Sequence, residues 1–361
     1  MANENLDVHV ILDVLNPATP VNLGNLAVFV VANDDSESGT TTPIQDVVLH
    51  SADDVSNLGL DIDASTQAII TTFFAQDGHG NSLYLYGVAG SVNQSTTMQK
   101  INDVMSDGWE FATIVSSSAN DSVVLANAIE TYGRKFAVLG MKTEAEEATY
   151  EEVASIEDAP FYGNERTIVF LANGAGDKND HYKAIGALIG ALGNRQPGSI
   201  TWKFKTLKTV TPSQINGTAL AKATELGINL YVTKAGADQT SEGMTTGLEY
   251  IDNLHADDWV RAEIESSIQN LLKNTDKLTY GTEGIAQLEA AVTTVLRTAT
   301  DNDIILVDPA TNAGQFTVTA GTREQQAPSD VAARKYAGLS FTYTRAGAIH
   351  DVTVHGTIAN V

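Results

Sequence analysis

The sequence predicts a mixed α/β fold: an α/β layer domain over the N-terminal two thirds, a C-terminal α+β domain, and an extended, strand-like arm at each end. Three observations carry this. Helical and strand periods alternate from about residue 64 to residue 233. Several of the strands are continuous apolar runs, as expected where a sheet is covered on both faces. After Gly236 the pattern changes to two amphipathic helices followed by segments rich in strand formers. A chain of 361 residues with 43% hydrophobic content can bury the cores of two domains. The expected limits are 1–25 for an N-terminal arm, 26–236 for the α/β domain, 237–345 for the C-terminal domain and 346–361 for a C-terminal arm.

In chain order, residues 7–14 alternate, with Val8, Val10, Leu12 and Val14 on one side of an extended strand. Asn16, Pro17, Pro20 and Asn22 are turn formers that separate this strand from the apolar run at 26–32. Helix then strand follow at 65–76 and 82–88, at 96–105 and 110–116, and at 122–133 and 135–141. The stretch 144–165 is rich in acids and reads as a solvated outer surface. A strand at 166–173, helices at 181–192 and 218–227 and a strand at 228–234 complete the layer. Residues 237–253 read as polar loop, and helices are expected over 256–273 and 283–298. Strand formers recur at 303–309, 316–321, 339–345 and 349–358.

The formal charge is −24, from 45 acidic and 21 basic residues. It argues against direct nucleic-acid binding, which rests on Lys and Arg neutralising phosphates, and against an anionic membrane surface. With no cysteine, disulfides, thiolate metal sites and cysteine nucleophiles are excluded. The N-terminus is acidic where a signal peptide is basic, and no window reaches the ~18 apolar residues of a membrane helix. The chain reads as one made and folded in a cytoplasm, without membrane insertion.

Three places invite a chemical reading. The turn at 172–180 joins a strand to a helix and contains Gly174 and Gly176, but it lacks the Walker order of Lys and Ser. It reads as a tight turn with Asn179 or Asp180 capping the helix. His255, Asp257 and Asp258 can be read as metal ligands or, better, as charges favourable at the start of the next helix. His350 and His355 are five apart, which on a strand puts them on opposite faces and prevents shared chelation. They read as polar members of a partly exposed strand, able to titrate near neutral pH and so tune assembly. No GxSxG elbow or HExxH occurs. No catalytic, cofactor or metal site is therefore expected.

Three segments together resemble the DUF3383 group of phage tail-sheath proteins. They are residues 250–274, 277–292 and 333–358, where Asp258–Trp259, Tyr280–Gly281, Gly284–Ile285 and Ala348–Ile349–His350 follow the order shown by such proteins. Leu278–Thr279 stand where many relatives have a proline, and the tryptophan-glycine-alanine-arginine signature of the wider sheath family is missing.

The resemblance implies a contractile-sheath subunit that polymerises helically around an inner tube and contracts by exchanging interfaces, without nucleotide hydrolysis. Its implied partners are other copies of itself, the tail tube protein, and baseplate and tail terminator proteins. Its implied place is the tail of a phage or phage-like particle assembled in a bacterial cytoplasm. On this reading Val8, Val10, Leu12 and Val14, with Val352 and Val354, belong to arms that add strands to neighbouring subunits; the other reading pairs both arms within their own subunit. Residues 327–338 read as a short helix capped by Ser329, with Arg334 and Lys335 near its C-terminal end. They face the tube or form a solvated surface. The rival functions are another phage tail or baseplate component, and a doubly wound α/β enzyme with the turn at 172–180 at the carboxyl end of a strand.

Overall fold

Alternating inward positions on eight strands, apolar on both faces of most of them, define the larger part of the molecule. The computed structural model describes residues 24–32, 43–90, 94–142, 147–174 and 176–355. The strands are β1 (Leu26–Val31), β2 (Val47–Leu49), β3 (Leu83–Val88), β4 (Phe111–Val115), β5 (Phe136–Met141), β6 (Thr167–Leu171), β7 (Asn229–Lys234) and β8 (Ala237–Thr240). They lie in the order β2-β3-β1-β4-β5-β6-β7-β8. All neighbours pair in parallel except β2 and β8, which close the two edges as antiparallel strands.

Helices cover both faces, as parallel crossovers require. The first are α1 (Asp54–Asn57), α2 (Ala64–Phe74), α3 (Ser95–Asp103) and α4 (Ala119–Tyr132). They are followed by α5 (Tyr150–Ala154), α6 (Asp180–Leu192) and α7 (Gly217–Glu225). Leu26, Val28, Phe111, Phe136, Val138, Ile168 and Phe170 point to one face, where they meet Ile69, Ile70 and Phe73 of α2 and Ile185, Leu188 and Ile189 of α6. Ala27, Phe29, Ala112, Ala137, Val169 and Leu230 point to the other, against Ile101 of α3, Leu125 and Ile129 of α4, Val153 of α5 and Ala223 of α7. Each large side chain buried in this way contributes about 1.5–3 kcal/mol.

The acidic stretch is more ordered than its composition suggests. Thr149 and Glu152 form a reciprocal capping box at the start of α5, Val153 is buried, and Glu157 pairs with Lys222 of α7 at 3.1 Å. Its charges face outward while one side chain per turn covers the sheet. The loop expected at 237–253 also departs from expectation: its first four residues form β8, whose register Tyr231↔Thr240 to Lys234↔Ala237 turns through Gly236 at φ +81°.

The remaining elements form a smaller C-terminal unit. They are α8 (Ile251–Asn274), α9 (Thr282–Asp301), β9 (Val307–Asp308), β10 (Ala313–Gly314), β11 (Phe316–Ala320), α10 (Pro328–Ala332) and β12 (Leu339–Tyr343). Trp259, Val260 and Ile264 of α8 pack on Val292, Val295 and Leu296 of α9, with Ile304 and Ile305 beside them. β11 and β12 pair antiparallel, from Phe316↔Tyr343 to Ala320↔Leu339.

The α2–α6 contact depends on two glycines four apart. A Cβ on Gly186 would lie 2.3 Å from the Ile69 carbonyl oxygen, and one on Gly190 would lie 2.4 Å from that of Phe73. Gly190→Ala should therefore lower stability by about 1–3 kcal/mol through overpacking. Gly217→Ala, in open space at the first turn of α7, should leave it unchanged or slightly raised. Equilibrium urea unfolding of both variants checks this; equal midpoints would show that the two helices separate freely.

Candidate functional site: a charged domain junction and an open hairpin

Helix α8 belongs to both cores. Ile251 and Leu254 in its first turn lie in the sheet's apolar cluster, while Ala256, Trp259, Val260 and Ile264 belong to the C-terminal one. Alongside these residues α8 carries His255, Asp258, Arg261 and Glu265, whose spacings of three and four keep them on one side.

Charges at the amino ends of adjacent strands meet that side. Glu110 immediately precedes β4, Arg134 stands two residues before β5, and Arg166 immediately precedes β6. His255 Nε2 lies 3.0 Å from Glu110 Oε1. Arg166 forks onto both oxygens of Asp258, and Arg134 reaches Glu265 at 3.2 Å. These six side chains are 3–15% exposed. The Arg166 guanidinium also lies 5.1 Å from the centre of the Phe136 ring, and Phe111 is edge-on to His255 at 6.0 Å. Burial by itself would push the His255 imidazole down, but the charge and hydrogen bond of Glu110 outweigh it and its pKa is raised. Arg166 is likewise held charged, because Asp258 overcomes the cost of burial.

This arrangement corrects the reading of the helix start. α8 begins at Ile251, well before 256, so Asp257 and Asp258 are not first-turn charges. Asp258 is bound by Arg166, and Asp257 accepts from the Tyr343 hydroxyl and from Arg345. His255, Asp257 and Asp258 are thus directed to three different partners. No group of three metal-ligating side chains occurs among the described residues.

The turn at 172–180 is filled by its own chain. A Cβ on Gly174 would meet the carbonyl oxygens of Pro212 and Thr211 at 2.2 and 2.4 Å, so that glycine admits a neighbouring loop and makes no phosphate cradle. Neither expected cap forms as such. Asn179 occupies the N-cap position without capping, its Oδ1 accepting instead from the Ser65 hydroxyl, and the Asp180 carboxylate accepts from the Asp177 N–H. Lys183 neutralises the turn by pairing with Asp177 at 2.7 Å. At the carboxyl end of β4, where a doubly wound fold places ligands, Asp121 is buried and accepts from Ser116 and Thr97.

The C-terminal hairpin has two unlike faces. Phe316, Val318, Leu339, Phe341 and Tyr343 pack against the α8–α9 core, while Thr317, Thr319, Ser340 and Thr342 are exposed. Neither β11 nor β12 pairs with a third strand among the described residues. Around it, the Gly284–Ile285 step acquires a reason: a Cβ on Gly284 would lie 2.1 Å from the Thr279 carbonyl oxygen, so the loop before α9 folds onto its first turn. Tyr280 then lies 6.3 Å from Tyr336 in an edge-on contact.

Of the residues expected in arms, Val8, Val10, Leu12 and Val14 fall outside the described residues. Val352 and Val354 are 72% and 84% exposed and lie outside any helix or strand. Arg334 and Lys335 are exposed just past α10, which ends at Ala332. Ser329 is not the cap of α10: Ala327 occupies that position, with Pro328 at the first helical one. The helix instead ends in a Schellman turn, with Lys335 N–H on the Asp330 carbonyl, Arg334 N–H on that of Val331, and Arg334 itself at φ +59°.

Residues 251–358, the α8–α9 pair, the hairpin and the segment after it, match the family described as "E217 tail sheath protein gp31-like, C-terminal domain". The chain has the fold of contractile-sheath proteins, and its last third is similar to a tail-sheath C-terminal domain. No curated protein sequence matches significantly. Among solved structures, the sheath fold extends over nearly the whole chain. A chain of the anti-feeding prophage baseplate superposes with a TM-score of 0.67 at 12% identity, covering 98% of this chain and 99% of the other. The anti-feeding prophage helical sheath in its contracted state gives 0.65 at 11%, covering 99% of each. The contracted sheath complex of an extracellular contractile injection system gives 0.66 at 12%, covering 97% and 96%. The family that matches thus carries a tail-sheath description, as the residues at 250–358 led one to expect, under a name other than DUF3383.

Sequence reasoning missed the junction. Its trace is present in hindsight as a charged residue just before each of three consecutive strands, facing a helix with polar residues at spacings of three and four. Breaking it is costly: Asp258→Ala leaves the Arg166 guanidinium buried without its partner and should cost about 3–5 kcal/mol. Replacing both, as Arg166→Met with Asp258→Leu, should recover most of that loss in thermal unfolding. A single variant as stable as the native chain would mean that the junction is open to water.

Proposed function

We propose that this chain is a structural subunit of a contractile tail sheath, polymerising helically around an inner tube and contracting by rearrangement of subunit interfaces. The observation that carries the reading is the hairpin β11–β12: its inner face is packed, its edges over Phe316–Ala320 and Leu339–Tyr343 pair with no further strand among the described residues, and the exposed segment 351–355 leaves the body without forming a strand of its own. A free edge is a hazard in a lone protein and a connector in a polymer, where a strand from another copy completes the ladder. The strands expected at Val8–Val14 and around Val352 and Val354 are the donors in this reading. Head-to-tail exchange of this kind builds a helix wherever its rotation does not close into a ring.

No step calls for catalysis or nucleotide hydrolysis. Both places where a doubly wound fold might bind a ligand are occupied by the chain's own carboxylates and backbone, which favours a structural role over an enzymatic one. Work is stored in the difference between two sets of interfaces, and the extended array is kinetically trapped. Contacts with the tube must break during contraction, which suits solvated charges. Arg334 and Lys335 are fitted to that role: in a chain of charge −24 they stand together and exposed, and Arg334 holds a left-handed backbone position where Gly would be less strained. Assembly in a bacterial cytoplasm and residence in the tail of a phage or phage-like particle follow from the same reading, with baseplate and terminator proteins as the end partners. The similarity to a chain in a baseplate structure favours one second reading, a baseplate component, which would form rings of fixed number.

Negative-stain images of the concentrated protein should show hollow cylinders of variable length; compact particles or fixed rings at every salt concentration would remove the sheath reading. Deleting residues 1–14 should abolish cylinders while leaving the melting profile unchanged. A deletion that fails to fold would assign that segment to the subunit's own core. Reversing both charges, as Arg334→Glu with Lys335→Glu, should weaken co-assembly with the tube at least tenfold at low salt without affecting cylinders formed alone. Unchanged co-assembly at low and moderate salt would place the tube contact elsewhere.

A further inference from the structure

After β12 the chain leaves the C-terminal unit and crosses to the α/β layer. Arg345 pairs with Asp257 and approaches Glu249 at 3.8 Å, and the Ala346 N–H donates to the Ile304 carbonyl at 2.9 Å. Gly347 then takes φ +67°, and residues 345–348 border a cavity of about 220 Å³ with Gly198–Thr201, the first turns of α8, and Asp303–Ile304. The next side chain to touch the body is His350. Its Nε2 lies 2.6 Å from Thr201 Oγ1, and its ring stands edge-on to Tyr250 at 4.9 Å and Phe204 at 6.0 Å. Phe204 holds this place at φ +66°, a strained position for an aromatic residue. Beyond His350, residues 351–355 are exposed and outside any helix or strand.

We propose that His350 is a latch that positions the root of the C-terminal arm against the α/β layer, closed as the neutral imidazole and opened by protonation. The hydrogen bonding supports this. Nδ1 is buried and has no partner among the described residues. The tautomer protonated at Nε2 donates to Thr201 Oγ1 and leaves Nδ1 as an unused acceptor, which costs less than burying an unused N–H. Protonation places a charge on the ring and a second N–H at Nδ1 with nothing to accept it.

Three charged groups face the ring. Lys203 comes from the same loop as Thr201, Glu242 from the segment after β8, and Asp252 from the first turn of α8; Lys203 and Glu242 pair with each other at 3.1 Å. Burial first, and then Lys203, hold the His350 pKa below its ordinary value against the pull of Asp252 and Glu242. A pKa lowered in the closed state makes the latch fully effective above about pH 6.5, the value of a free imidazole. Its strength is lost as pH falls from there through the lowered pKa, by up to about tenfold in occupancy per pH unit.

The latch is a property of the single subunit; only its consequence for the arm rests on the sheath reading. Hydrogen exchange of the full chain, corrected for intrinsic rates, tests it together with a histidine NMR titration. The Ala346 amide, bonded to the Ile304 carbonyl, should exchange several-fold faster at pH 5.5 than at pH 7.5, and His350 should titrate below 6.5. His350→Ala should exchange fast at both pH values. His350→Gln, which keeps a donor for Thr201 and does not titrate, should exchange slowly at both. An ordinary or raised His350 pKa, or an alanine variant as protected as the native chain at pH 7.5, overturns the latch. Cylinders formed without this pattern would retain the sheath and remove the latch; the pattern without cylinders would do the reverse.

Discussion

The bidentate Arg166–Asp258 pair, flanked by Glu110–His255 and Arg134–Glu265, is the constraint to which the position of the whole C-terminal unit is referred. An apolar contact tolerates sliding, because burial is nearly indifferent to direction. A fork of two hydrogen bonds between buried charges does not, since a displacement of an ångström leaves donors and acceptors without partners in a medium that penalises them. Two such forks and the His255–Glu110 contact, taken from the amino ends of three consecutive strands, fix α8 along its axis and about it. The apolar plug of Ile251 and Leu254 supplies attraction, and the charges supply register.

Everything after α8 inherits that placement. Trp259 and Ile264 seat α9, α9 supports the hairpin, and Tyr343 and Arg345 at the end of the hairpin return to Asp257 on α8 itself. The C-terminal unit is therefore closed on the helix that ties it to the sheet. In the proposed polymer a large rearrangement would find its least costly freedom outside this closure, in the segment beyond Gly347 and at exposed surface such as that of Arg334 and Lys335. A metastable lattice gains from such a division: rigid subunits store work in interfaces, whereas soft ones would dissipate it within themselves.

The α/β layer was legible because period and burial coincide there. Runs such as 26–31 and 167–171 are apolar on successive residues, which only a strand covered on both faces tolerates, and the observed strands lie within a residue or two of the expected ones. The short pieces were not legible. β8 has only Ala237 as an apolar residue and exists because the turn at Gly236 returns the chain to β7. α5 is hidden in an acidic run because one buried valine per turn is too sparse to set a period. The same limit explains the site. Asp257 and Asp258 were read locally, as charges at a helix start, whereas their partners Arg345 and Arg166 lie about ninety residues away in either direction; the separations in sequence are 88 and 92. Pairing at that range is a consequence of topology, and periodicity carries no record of it. The terminal arms were read from alternation alone, which describes what a strand needs on one face and says nothing of where its ladder will be found.

Two histidines, one buried and one half-buried, show how one residue type serves opposite ends of this design. His255 sits beside a carboxylate, so its proton is favoured and its contribution to the junction is complete below about pH 6.5, declining only as pH rises through its raised pKa. His350 sits between aromatic rings with Nδ1 unpartnered, so its proton is disfavoured and its contribution is complete above that value. Mild acidification therefore keeps the proton on His255 while loosening the root of the arm, and alkaline conditions do the reverse. The difference lies in what stands opposite each ring, Glu110 in one case and Thr201 in the other. A charge buried against a carboxylate holds two domains together; a neutral ring against a hydroxyl holds a strap that can be let go.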